Sequence, residues 1–277
     1  MGKMGTLTLD KWGPFSPVHD SCASKGPWHY IDTEGIIIEF ETDEDAARSL
    51  MPPDLELVEP ASAFVSIVEN HWTTLGPYGE AYMGIMCKWQ GEVCCYIPAV
   101  YTTGVASRVV AREVVGCGKK TAERIEVTQH ADGDIQAIME IKNGDRAACA
   151  VMQPATNEPV EALGAHQSIP MIFLKTFPDS EGGDRPALAQ LISQPYPLHP
   201  HIDAQGRAMV YSGPGHLAFG WPSDLQLPIR GVPSFKFSRY DSVLEYPKIL
   251  KTYTSEEFEA AEAEASVGNV QAIRAIR

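Results

Sequence analysis

The chain has 277 residues, 44% of them hydrophobic and 21% charged, a globular composition that excludes a disordered polymer or a fibre. With 22 basic against 36 acidic residues its formal charge is -14, which repels phosphate backbones and anionic lipid, so nucleic acid and membrane surfaces are not expected partners. The opening MGKMGTLTLDKWG lacks the apolar run of a secretory signal, and no stretch reaches the roughly 20 apolar residues that span a bilayer, so a cytoplasmic location is expected.

Residues 1–29 are rich in Gly, Pro and Ser and read as an irregular arm, able to wrap a neighbour in an oligomer. Residues 30–253 read as one folded unit with no internal period. Within it, residues 35–42 (GIIIEFET) are β-branched and strand-like, and residues 43–50 have an acidic start and helical spacing that Pro52 and Pro53 stop. Residues 82–89 and 92–102 are strand-like runs joined at Gln90-Gly91, and Asp132-Gly133 and Asn143-Gly144 join three more between 122 and 153. These are hairpin signals, which point to antiparallel β structure. Between the two groups, residues 105–115 (VASRVVAREVV) predict a short helix leading into a Gly-Cys-Gly-Lys-Lys turn.

Further strands are expected at 171–177, 188–193, 209–212, 217–221 and 235–237, and so many imply a closed barrel or a sandwich, since open edges are vulnerable. Residues 254–277 form an acidic tail, with a helix over 258–276 and Thr254 and Glu257 at capping-box positions. The six cysteines (Cys22, Cys87, Cys94, Cys95, Cys117, Cys149) contain no C-x-x-C pair and read as reduced, mostly buried thiols. His199-Pro200-His201 lacks further ligands at diagnostic spacing, so no metal is predicted, and Gly213-Pro214-Gly215-His216 is turn chemistry without a phosphate-loop context.

The segment from Arg112 to Lys120 (REVVGCGKK) carries the chemistry. Most Lys-Lys pairs are solvated surface charge. The alternative is that one amine lies in a dry pocket, where lost hydration and a second ammonium lower its pKa and free a lone pair to attack a ketone. Glycines at 116 and 118 would allow the backbone to aim Lys119 inward while Lys120 points the other way.

A small residue and Arg-Glu, a five-residue turn and then Lys-Lys resembles the active-site signature of the acetoacetate decarboxylase superfamily, the standard example of an activated lysine. Gly26-Pro27-Trp28, the run Met51-Pro52-Pro53-Asp54-Leu55-Glu56-Leu57, Tyr78-Gly79-Glu80, Leu174-Lys175 and Gly213-Pro214 fall in the same order as in that family, so the resemblance covers residues 26–253. It implies an α+β fold, mainly antiparallel β, closed into a barrel or cone with flanking helices, and a homo-oligomer. It also implies Lys119 as the Schiff-base lysine, Lys120 as its pKa-perturbing neighbour and Glu80 as the pocket carboxylate and proton carrier, with no metal or organic cofactor.

In an ungapped match the family's pocket arginine falls on Thr33 and its second glutamate on Val65, which makes the expected substrate pocket less ionic than one built for a small keto acid. The leading expectation is a lyase that decarboxylates a β-keto acid larger or more apolar than acetoacetate. An aldolase-dehydratase using the same lysine on pyruvate and an aldehyde is the alternative, and a non-catalytic barrel holding a hydrophobic ligand is the second.

Overall fold

The computed structural model describes residues 2–12, 24–142, 144–159, 169–220 and 225–263. Strand β1 (Trp28–Glu41) owes its length to the β-branched run Ile36-Ile37-Ile38, whose side chains are buried on both faces. At Asp32, with φ of +62°, its register against β16 (Arg230–Leu244) slips, the mark of a bulge. Helix α1 (Glu44–Leu50) follows, capped by the Asp43 carboxylate, which accepts from the Ala46 amide at 3.0 Å.

After the short β2 (Glu56–Leu57) come β3 (Ser62–Thr73), β4 (Tyr78–Trp89) and β5 (Glu92–Thr102). The β4–β5 hairpin closes at Gln90-Gly91 as expected, both residues at positive φ, which matches the twist of the strands. Helix α2 (Val105–Val110) runs into a wide π turn (Ala111–Val115), then β6 (Lys120–Thr121). The next three strands, β7 (Arg124–Gln129), β8 (Ile135–Glu140) and β9 (Arg146–Met152), form the expected antiparallel run.

The remaining strands are β10 (Thr156–Asn157), β11 (Met171–Pro178), β12 (Pro186–Gln194), β13 (Leu198–Pro200), β14 (Val210–Gly213), β15 (Gly215–Phe219), β16 and β17 (Lys248–Thr252). Helix α3, residues 255–263, begins with the expected capping box: the Thr254 amide donates to Glu257 Oε2 at 2.8 Å and the Glu257 amide to Thr254 Oγ1 at 3.3 Å. The expected helix beyond 263, Cys22, Asn143 of one predicted turn and the end of the strand at 221 lie outside the described residues.

The closed barrel is corrected. The large sheet runs β10-β14-β16-β1-β3-β4-β5-β11-β12-β17, and its two ends do not pair. A second sheet, β15-β9-β8-β7, packs on one face, so apolar surface is buried by layering rather than by closure, and the outermost strands are short, two residues in β10 and five in β17. Pairing is antiparallel except where β5 meets β6 and β11. Ile38, Ile67 and Met83 meet Val127, Met139 and Met152 between the sheets. The opposite face of the large sheet carries a second cluster, including Trp28, Tyr30, Ile97, Val100 and Phe173, against which α2 and the π turn pack through Val110 and Val115. No helix among the described residues is long and apolar enough to cross a membrane.

Candidate active site

Lys119 is delivered by the turn after α2. The π turn ends at Gly116, where φ is +82° and an added Cβ would lie 2.5 Å from Lys175 Cβ, so only glycine fits. Lys175 Nζ, from β11, donates to the Glu113 carbonyl at 2.7 Å and ties the end of the turn to the sheet. Gly118 has no such demand on it, since nothing lies within 4 Å of an added Cβ. Six residues after the tie, Lys119 enters the layer holding the second apolar cluster and is 8% exposed. Lys120 goes the other way: its Nζ lies 5.8 Å from the centroid of Tyr101, a ring belonging to the inter-sheet core.

Lys119 Nζ donates to Glu80 Oε2 and, at 2.7 Å, to Ser107 Oγ, and stands 5.2 Å from the centroid of the Tyr78 ring. Glu80 comes from β4, in register with Val68 and Thr102, and Ser107 from the first turn of α2. Tyr78 in turn donates to the Tyr30 hydroxyl at 3.1 Å. Lys119, Glu80, Ser107 and Tyr30 share a cavity of about 50 Å³ with Tyr82, Tyr196, Tyr240 and an apolar wall that includes Ile97, Val110, Met171 and Leu244. That is room for a few waters or a short ligand.

The surroundings of the Lys119 amine shift its pKa upward rather than down. Burial disfavours the Lys119 ammonium more than any other single influence. The Glu80 carboxylate opposes it, joined by Tyr30 and Cys117 when these ionise, and the balance holds Lys119 above the ordinary lysine value. The group in contact with the Lys119 amine is Glu80, while the Lys120 amine lies over the Tyr101 ring. Burial raises the Cys117 thiol to about 12 and lifts the phenols of Tyr30, Tyr78, Tyr82, Tyr196 and Tyr240 above their ordinary range.

Neither Thr33 nor Val65 lines the cavity. Val65 is fully buried opposite Met83 in the core between the sheets, because alternation along β3 turns Val68 and Asn70, not Val65, toward the lysine. Thr33 sits behind the wall and donates from Oγ1 to Asn70 Oδ1 at 2.9 Å. No arginine lines the cavity among the described residues. Arg112 is exposed on the π turn, and His201 is spent on Asp241, at 2.7 Å, beside the Asp32–Arg239 pair.

Ser107, the tyrosines and Gln194 escape the sequence reading. They come from separate segments and carry no local spacing; only the run of small residues before Val110 hinted that α2 presses close to something.

Residues 14–254 match the family model described as acetoacetate decarboxylase (ADC). The chain is 26% identical over 235 residues to acetoacetate decarboxylase 1 of Bradyrhizobium diazoefficiens, covering 82% of this chain and 88% of that protein. It is 29% identical over 106 residues to the acetoacetate decarboxylase of Burkholderia ambifaria, a match to 38% of this chain and 43% of the relative. Among solved structures it resembles acetoacetate decarboxylase from Legionella pneumophila, with a TM-score of 0.72 at 23% identity over 91% of this chain and 98% of that one. It also resembles the enduracididine biosynthesis enzyme MppR, solved with the condensation product of pyruvate and imidazole 4-carboxaldehyde, with a TM-score of 0.66 at 18% identity over 91% of this chain and 99% of that one. At these identities the two structures speak for the fold.

Proposed function

The chain belongs to the acetoacetate decarboxylase family, and from that premise we propose that Lys119 condenses with the ketone of a β-keto acid and that the resulting iminium draws out the electrons of the breaking carbon–carboxylate bond. The observation that carries this reading is the Lys119–Glu80 pair enclosed with Ser107 in a largely apolar cavity. A ketone entering the cavity displaces water, and the charged pair loses more hydration than the neutral pair of amine and carboxylic acid. The proton passes from Nζ to Glu80. The freed amine adds to the carbonyl carbon, Glu80 returns the proton to the departing hydroxyl, and water leaves. Carbon dioxide then departs, its bonding electrons reach the iminium nitrogen as an enamine, and protonation at carbon followed by hydrolysis releases the ketone.

Ser107 is the positioning residue, fixing where the Nζ lone pair points. The wall favours a substrate more apolar than acetoacetate. With no arginine among the described residues of the cavity wall to hold a carboxylate through the reaction, the cavity suits chemistry that expels one. The alternative, an aldolase-dehydratase, is favoured by the likeness to MppR and uses the same enamine, but it must retain the carboxylate of pyruvate beside Glu80.

The test combines two readouts. Borohydride reduction in the presence of a ketone should leave one adduct, found by peptide mass on Lys119 and absent from Lys119→Met. A panel of β-keto acids should release carbon dioxide, with apolar members ahead of acetoacetate. An adduct on Lys120 would overturn the assignment. Folded protein with no adduct would mark a ligand-binding protein, and unsaturated keto-acid products from pyruvate and aldehydes without decarboxylation would select the alternative.

A further inference from the structure

Gln194 ends β12 with its side chain fully buried on the cavity wall, in register with Met171, another wall residue. Its amide is locked in one orientation. Nε2 donates to the Pro195 carbonyl at 2.9 Å and to the Glu245 carbonyl at 3.0 Å, and turning the amide over would set Oε1 against two carbonyl oxygens. Oε1, by contrast, meets no hydrogen-bond donor among the described residues. A buried acceptor without a donor costs free energy wherever nothing supplies one. A side chain whose other half is tied twice to the backbone does not move to find a partner.

We infer that Gln194 is a specificity-determining residue and that the substrate carries a hydrogen-bond donor, a hydroxyl or an amide N–H, on the part of the molecule remote from the reacting carbonyl. Lys119, Ser107 and Glu80 face the ketone from β4 and the α2 turn, whereas Gln194 belongs to the wall built with Met171. A ligand filling the cavity between them presents its tail, not its carbonyl, to Oε1. The cavity thus combines apolar walls, which take the carbon chain, with one fixed acceptor, which reads the tail's end. A site with such an acceptor rejects an analogue lacking the donor because Oε1 is then left unpaired. The inference deepens the Schiff-base reading and rests on it for which end of the ligand lies where.

The probes are methyl ketones in matched pairs: hydroxyethyl, hydroxypropyl and hydroxybutyl methyl ketone, each against the alkyl ketone with methyl in place of hydroxyl and against the methyl ether. Calorimetric Kd values, taken before any hydride is added, read the hydrogen bond; adduct mass after hydride reads the amine. At one or more chain lengths the hydroxyl ketone should bind about three- to tenfold more tightly than both partners, the range of one neutral hydrogen bond. Gln194→Met should lose that preference, so that hydroxyl and alkyl ketones bind alike, and Gln194→Leu makes the same test should the Met variant misfold. Equal Kd values at every length in the wild type would overturn the inference, as would a preference that survives in Gln194→Met. Discrimination in Kd with no adduct from any ketone would sink the Schiff-base reading and leave Gln194 as a binding residue.

Discussion

Replacing Glu80 by Gln removes the charge that holds the proton on Lys119 while keeping a side chain of the same shape. Tyr30 and Cys117 also favour the ammonium, but only when ionised, and burial keeps both neutral near pH 7. Glu80 is thus the one negative charge acting on Lys119 at neutrality among the causes of its shift, and without it burial acts unopposed. Two unit charges about 4 Å apart at an effective dielectric of about 20 interact by about 4 kcal/mol, which is the scale of the support the ammonium loses. The Lys119 pKa in Glu80→Gln should therefore fall below that of the wild type. Carbon-labelled lysine NMR titrated with pH, with Lys119→Met to assign the signal, measures it. Turnover should fall even as the neutral amine becomes more abundant, because the acid that expels the carbinolamine hydroxyl is gone. An unchanged titration would refute the reasoning, since the proton would then be held by something other than the pair.

Gly116→Ala meets both a positive φ and Lys175 Cβ at 2.5 Å, so it should destabilise the protein by more than about 1 kcal/mol in urea denaturation and cut adduct formation on Lys119. Val65→Glu should cost at least about 3 kcal/mol rather than add an ionic group to the cavity, because the carboxyl would be buried unpartnered between the sheets; wild-type stability would refute the placement. The five buried phenols have folded pKa values above the unfolded value near 10, so the folded state binds more protons there. Lys119, also raised, has the same sign. Their stabilisation is fully present below about pH 10 and lost as pH climbs through the folded values, so Tm measured against pH should hold through the neutral range and drop on the alkaline side, with a smaller drop in Tyr240→Phe.

The elements legible in the sequence are those fixed by neighbours along the chain. Gln90-Gly91 needs two positive φ values and closes a hairpin; Thr254 and Glu257 satisfy each other's amides; the α2 segment ends where Gly116 lets it turn. What was not legible depends on partners far along the chain. Whether the sheet closes is decided by β10 and β17, nearly a hundred residues apart, and nothing local to either tells which strand it borders. The fifteen residues of β16 read as only three because Ser238 and Ser242 occupy buried positions and charges the half-buried positions between them, beside β1, β13 and β14. Thr33 and Val65 were placed by counting. In a strand an error of one residue reverses the face, and the bulge at Asp32 is such a step. The tyrosines and Gln194 reach the cavity from several strands and loops, so only the folded chain assembles them.

Two adjacent lysines drew attention to the turn that follows α2. Lys119 enters the cavity and Lys120 lies over Tyr101, so the group in contact with the Lys119 amine is Glu80. A carboxylate in contact raises the resting pKa, yet it does not argue against a nucleophile. The pair is neutral overall whether the proton sits on Nζ or on Glu80, so moving it changes no net charge in the cavity and requires no exchange with solvent. The side that holds the proton is then set by how much hydration the charged form retains, which is the quantity a ligand alters when it fills about 50 Å³ of space. In the proposed reaction a lysine kept permanently neutral would be ready for any electrophile that reached it; one paired with Glu80 would become a nucleophile once a ligand had excluded water, with the group that takes its proton already within reach of the hydroxyl that must leave.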